Sequence, residues 1–92
     1  MDMEVLLIAL KTDLQIRTDK YDDRLQDRLI EAQTDLTAQG LVLEETQADR
    51  DLVIMYAAWL WRDRASGAPM PRMLVTARNN KLFGRKARTG GN

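Results

Sequence analysis

A ten-residue apolar block, residues 52–61 (LVIMYAAWLW), constrains the fold of this chain more than any other feature of its sequence. Charged triplets enclose the block, with DRD at residues 49–51 and RDR at residues 62–64. A helix that is apolar on all sides must be covered on all sides. At about 1.5 Å per residue the block is roughly 15 Å long, half of what a bilayer span requires. It therefore predicts a buried helix, covered by the chain's other helices or by neighbouring copies.

The composition narrows the function classes that the chain can serve. The 92 residues predict one small domain, and 45% hydrophobic with 30% charged residues is typical of a soluble globular protein. Cysteine and histidine are both missing, which excludes a disulfide framework, a thiolate zinc site and histidine as general base. We expect a non-enzyme with no catalytic residue, no cofactor and no metal. The amino terminus lacks the pattern of a secretory signal, so we expect synthesis and retention in the cytoplasm, without a membrane partner.

Carboxylate pairs are the remaining candidates for acid–base chemistry. Asp23, Asp27 and Glu31 follow one another at one-turn spacing in the predicted second helix. A general acid needs a dry pocket to raise its pKa, and these positions lie away from the apolar stripe of that helix. We interpret them as a solvated helix face.

The net charge of zero conceals a division along the chain. Residues 1–63 contain all fourteen acidic residues and seven basic ones, a net charge of −7. Residues 64–92 contain the other seven basic residues and no acid, a net charge of +7. An acidic body with a basic end predicts contact with a negatively charged partner or with another copy of the chain.

Apolar periodicity predicts an all-α fold, a small four-helix domain with helices at about 2–14, 20–38, 47–65 and 71–82. In the first helix, five residues supply the apolar bulk: Val5, Leu6, Ile8, Leu10 and Leu14. Thr46 and Asp49 have the spacing of a capping box, in which each side chain accepts from the other's amide. Pro71 suits the first turn of the fourth helix and Gly84 its end. We expect a helical domain over residues 1–83 and a mobile basic tail over residues 84–92.

Two tryptophans point to a possible second surface on the apolar helix. Trp59 and Trp61 are two residues apart, about 200° around a helix, so they face nearly opposite ways. Both could lie inside one bundle, but tryptophan is favoured at interfaces because it buries a large area and keeps one donor. We therefore predict a subunit interface formed by Tyr56, Trp59, Trp61, Arg72 and Arg78. For the two arginines, complementing the acidic second helix, within one subunit or between two, is the simpler role.

The basic residues near the carboxyl terminus permit two interpretations. Six of them could neutralise phosphates without reading bases: Arg72, Arg78, Lys81, Arg85, Lys86 and Arg88. Phe83 is the only aromatic residue among them, so a platform for stacking single-stranded bases is not expected. For Arg85, Lys86 and Arg88, which follow the last predicted helix, we expect contact with a partner.

Two segments of the chain resemble a known family. Residues 51–83 (DLVIMYAAWLWRDRASGAPMPRMLVTARNNKLF) resemble the carboxyl half of the small all-helical head–tail connector proteins of tailed bacteriophages. The shared pattern is a long apolar and aromatic helix, a basic turn, a short loop and an MP-R-ML helix start. Residues 10–33 (LKTDLQIRTDKYDDRLQDRLIEAQ) are similar to the amino half of that family, in which Tyr-Asp-Asp opens the second helix.

The resemblance implies a structural role in the virion, at the interface of head and tail, after assembly in the bacterial cytoplasm. Such connectors form a homo-oligomeric ring below the portal protein. The ring extends the channel through which double-stranded DNA passes without sequence recognition, and it docks a downstream neck, stopper or tail-completion protein. In the family the carboxyl-terminal segment often reaches the portal, which would make Arg85, Lys86 and Arg88 a portal-docking tail.

Two other classes remain open from the sequence. One is a small helical nucleic-acid-binding protein that uses the basic end. The other is a regulatory helical adaptor that covers the apolar block with a different protein.

Overall fold

The computed structural model describes the backbone of residues 1–90 and the side chains of residues 1–83. In this part of the chain four α-helices follow one another: α1 (Met3–Leu14), α2 (Asp22–Ala38), α3 (Gln47–Arg62) and α4 (Arg72–Gly90). A single 3-10 turn, Arg64–Ser66, lies between α3 and α4, and no strand occurs among these residues. The predicted all-α fold with four helices is confirmed.

The helix ends differ from the prediction at two places. The third helix was expected to reach residue 65, but α3 ends at Arg62 and the chain tightens into the 3-10 turn. Gly67 follows with a φ of 77°, the left-handed conformation that glycine adopts without steric cost. The backbone of α4 continues to Gly90, beyond the expected end at residue 82. Residues 84–92 were expected to be mobile. Their side chains lie outside the described part of the chain, so this stays a prediction.

Local capping explains where α1 and α3 begin. The Asp2 carboxylate accepts from the amide of Glu4 at 3.0 Å, and the Thr46 hydroxyl accepts from the amide of Asp49 at 3.2 Å. The second half of the predicted capping box is wrong. Asp49 Oδ2 accepts instead from the amide of Glu44, in the loop before the helix, at 2.6 Å.

Helix α3 is the centre of the domain, and the three other helices all pack against it or its neighbours. Six of the ten residues in the apolar block 52–61 are buried and the other four are half-buried, so no residue of the block is exposed. The cover comes from leucine-rich faces of α1 and α2 and from one residue of α4. These covering residues are Leu6, Leu7, Leu10, Leu25, Leu29, Ala32, Leu36 and Leu74. The prediction of a buried helix is confirmed, and a single chain supplies most of the cover.

Helix α4 contributes fewer buried residues to the core than the other helices do. Leu74 is its one buried apolar residue in the described part, with Ala77 and Leu82 half-buried beside the core. Lys81 Nζ lies 2.9 Å from Asp49 Oδ2 at the start of α3. Asp49 is only 3% exposed, and it is the one buried charged residue that the structure describes. The attachment of α4 therefore combines one fully buried leucine with the Lys81–Asp49 ion pair, in addition to the half-buried Ala77 and Leu82.

Replacement of Lys81 by Met tests this attachment, because it keeps the aliphatic stem and removes the ammonium group. The Asp49 carboxylate then stays buried with one donor fewer, and we expect a loss of about 1–3 kcal/mol in the free energy of unfolding. Urea unfolding measures the loss, and hydrogen exchange locates it. Amides of α4 should exchange faster than those of α2. The matched control is Arg72→Met, an exposed position on the same helix. Equal effects of the two substitutions would contradict the role given to the ion pair.

Candidate subunit interface

An apolar cleft of about 160 Å³ opens where the end of α3 meets the start of α4. Its apolar lining includes Met55 and Trp59 from α3 and Met73 and Leu74 from α4. Met73 is 74% exposed, the highest value of any large apolar side chain in the described part of the chain. Methionine adapts its shape to a partner, and tryptophan and methionine are enriched where proteins meet. The lining is thus suited to protein contact.

The connection between α3 and α4 holds the walls of this cleft in place. Trp59 Nε1 donates to the carbonyl oxygen of Ala68 at 3.4 Å, which ties the indole to the connecting loop. The Trp59 ring also meets the Tyr56 ring edge-on, with centroids 5.7 Å apart. Because Pro71 can occupy the first turn of a helix without losing a hydrogen bond, α4 starts immediately after this loop. Met73 and Trp59 line the same cleft, and the Trp59 indole is held by a hydrogen bond and a ring contact.

Trp61 faces a different surface. Its ring meets the Tyr21 ring edge-on at a centroid distance of 5.8 Å, and it lines a separate depression together with Arg24 and Arg28. The two indoles thus point to different surfaces, as their spacing predicts. Both are half-buried and both have aromatic partners within the subunit. Their participation in a subunit interface stays a prediction.

Tyr56 corrects one part of the predicted interface. The side chain is 5% exposed and belongs to the core, so it is not accessible to a second subunit while the domain is folded. Its hydroxyl donates to Asp35 Oδ2 at 3.3 Å and accepts from Gln39 Nε2 at 3.5 Å. Burial raises the pKa of Tyr56, and the negative charge of Asp35 raises it further. The tyrosine links α3 to α2 instead of forming an outer surface.

The two arginines predicted at the interface have different environments. Arg78 Nη1 donates to Gln39 Oε1 at 3.2 Å and approaches Met70 Sδ at 3.9 Å, so it serves contacts within the subunit. This contact joins α4 to the end of α2, but its acceptor is a neutral glutamine and not one of the acidic residues that the alternative role invokes. Arg72 is exposed immediately before Met73, and its interface role stays a prediction. The predicted docking residues Arg85, Lys86 and Arg88 lie outside the residues whose side chains are described.

The acidic face of α2 is solvated only in part, at the first two of its three predicted residues. Asp23 and Asp27 are exposed, whereas Glu31 is half-buried and pairs with Arg64 and Arg28. Among the described residues no group of three or more acidic, cysteine or histidine side chains could hold a metal ion. No helix within that part of the chain has the length and apolar character needed to cross a membrane.

The outer face of α1 contains a patch that the sequence interpretation missed. Val5 and Ile8, expected to add to the apolar bulk of the first helix, are 50% and 60% exposed. The buried face of α1 consists of Leu6, Leu7 and Leu10. At about 100° per residue, Val5 and Ile8 fall on the side opposite these leucines. The helical projection alone contained this signal, because it places Val5 and Ile8 on the side of the helix opposite Leu6 and Leu10.

Comparison with protein-family models, with curated proteins and with solved structures found no match for this chain. The site is therefore defined by this chain's own residues and their geometry.

Replacement of Tyr56 by Phe tests the buried position of its hydroxyl through the pH dependence of stability. The folded-state pKa lies above the ordinary value of 10.0, so the unfolded chain loses the tyrosine proton first as the pH rises. The associated stability is fully present below pH 10.0 and is lost as the pH rises through the folded-state pKa. We expect the free energy of unfolding to fall less steeply above pH 10.0 in Y56F than in the wild type.

Urea unfolding at successive pH values from neutral to alkaline measures this difference. Hydrogen bonds to Asp22 and Asp19 raise the pKa of Lys11 as well, and its loss of charge adds the same alkaline decline to both proteins. The comparison between wild type and Y56F therefore isolates the tyrosine. Parallel pH profiles for the two proteins would show that the Tyr56 hydroxyl is not in a buried site.

Proposed function

We propose that this chain is a structural subunit of a bacteriophage head–tail connector. In this proposal copies of the chain form a ring below the portal protein, extend the channel for double-stranded DNA and dock the next neck or tail-completion protein. The observation that carries the proposal is the apolar cleft between α3 and α4. It lies largely within the segment 51–83 that resembles the connector family, and it exposes Met73 beside a half-buried Trp59.

The size and lining of the cleft favour protein contact over catalysis. Pockets for small molecules typically enclose about 300–1,000 Å³ and contain a few convergent polar groups. The cleft encloses about 160 Å³, and its polar side chains are limited to Asp13, Arg62 and Asp63. A side chain from another protein fits such a cleft better than a substrate does.

The charge division supports a contact between unlike surfaces. A closed ring is built from heterologous contacts, in which one face of each subunit meets a different face of the next. Residues 1–63 carry a net charge of −7 and residues 64–92 carry +7, so each copy has an acidic body and a basic end. Placing the basic end of one copy against the acidic body of its neighbour brings opposite charges together.

The two other classes are less well supported by the contacts. A nucleic-acid-binding protein needs free cations, but Arg78 binds Gln39 and Lys81 binds Asp49 within the subunit. A regulatory adaptor needs a different protein to cover the apolar block, and the chain's own helices already cover most of it.

Truncation of the chain after Phe83 tests the docking part of the proposal. The shortened protein lacks Arg85, Lys86 and Arg88, and we expect it to lose binding to the portal ring encoded by the same phage. Co-sedimentation with purified portal rings measures the binding. Circular dichroism and thermal unfolding establish that residues 1–83 remain folded.

Two matched variants separate charge from chain length in this experiment. R85Q/K86Q/R88Q removes the three tail cations at full length and should weaken portal binding strongly. R17Q/K20Q/R24Q removes three exposed cations from the body and should leave portal binding unchanged. Undiminished portal binding by the truncated chain would refute the role of the tail, and absence of portal binding by the intact chain would refute the connector assignment.

A further inference from the structure

Two apolar surfaces of the subunit remain exposed to solvent in the folded chain. One is the knob, defined here as Val5 and Ile8 on the outer face of α1. The other is the cleft between α3 and α4, which exposes Met73. Residues three apart on a helix are about 5–6 Å apart at Cβ, so the two knob residues form one continuous apolar patch. Solitary exposed apolar residues are common on protein surfaces, but a paired knob and an open apolar cleft suggest contact.

The knob and the cleft are distinct surfaces of the same subunit. Helix α1 contributes only Asp13 to the cleft lining. Asp13 follows Ile8 by five residues, which places it roughly 7.5 Å farther along the helix and about 140° around it. The knob therefore does not reach the cleft of its own chain. A contact between knob and cleft needs two copies.

The dimensions of the two surfaces match. An apolar cavity of about 150 Å³ is large enough to hold benzene. The cleft, at about 160 Å³, thus has room for one branched aliphatic side chain such as that of Ile8. Met55 and Met73 lie on opposite helices of the cleft, and their unbranched side chains can adjust to the entering residue.

The charges beside the two surfaces are opposite. Asp2 and Glu4 are exposed at the start of α1, immediately before the knob. Arg72 is exposed immediately before Met73, and every charged residue of α4 is basic. The charged residues that line the cleft itself, Asp13, Arg62 and Asp63, are not basic as a group, so the positive charge beside Met73 is that of Arg72 alone. The acidic start of α1 is thus complementary to Arg72 on the α4 side of the cleft.

We infer that the knob of one copy of the chain inserts into the α3–α4 cleft of the next copy, with Ile8 against Met73 and Glu4 beside Arg72. This seam rests on the proposed function, because it identifies the contact between neighbouring subunits of the ring. The contact is head-to-tail, so each copy uses its knob on one neighbour and its cleft on the other. A small seam suffices in a ring, because closure makes the last contact intramolecular.

Disulfide trapping tests the seam, because the chain contains no cysteine and any introduced thiol is unique. The I8C and M73C proteins are purified separately, mixed at high concentration and exposed to a mild oxidant. Non-reducing electrophoresis follows the formation of dimer, and mass spectrometry identifies the linked peptides. Both positions are exposed, so neither substitution disturbs the core. The matched control is I30C, which places a thiol on α2 at 53% exposure, outside both surfaces.

We expect the mixture of I8C and M73C to form a mixed dimer at least about tenfold faster than the mixture of I30C and M73C, because docking raises the effective concentration of the two thiols. I8C alone and M73C alone should react at the rate of the I30C control. Equal rates in all mixtures would overturn the seam. Fast homodimer formation by I8C or M73C alone would also overturn it, because that result indicates a contact of like surfaces.

The outcome of this test is separable from that of the connector assignment. Portal binding by the intact chain without the preferred disulfide refutes the seam and leaves the connector role in place. The preferred disulfide without portal binding refutes the connector role and leaves a self-associating protein.

Discussion

Burial of one apolar helix is the constraint on which this structure depends. Helix α3 has no exposed residue between positions 52 and 61, and a helix with this composition is stable only when other elements surround it. The chain meets the requirement with two leucine-rich helices and a third helix attached at Leu74. The ion pair between Lys81 and Asp49 then sets where that last helix lies. The cleft next to Trp59 follows from this narrow attachment.

Local signals predicted most of the fold. The side chain of Thr46 caps the helix that its position indicates, and Pro71 stands immediately before α4. The buried block and the opposite directions of Trp59 and Trp61 also follow from helical periodicity. These features depend on interactions within a few residues, and the sequence contains the information for them directly.

The features that were not predicted depend on tertiary packing. Tyr56 and Trp59 have similar sequence surroundings, but only the tyrosine faces Asp35 and Gln39 on α2 and becomes buried. Asp49 binds the amide of Glu44 because the preceding loop folds back over the helix start. In each case the position of a second element decides which of several locally equivalent residues is buried.

The domain covers its own central helix, and we propose that its two small, unlike apolar surfaces contact neighbouring copies. If the chain is the connector subunit that we propose, electron microscopy of the intact chain mixed with portal rings shows this contact directly. We expect a closed ring of this chain on one end of the portal, with α1 of each copy against the α3–α4 cleft of the next. Portal rings that carry no such layer, or that carry isolated copies without mutual contact, would contradict it.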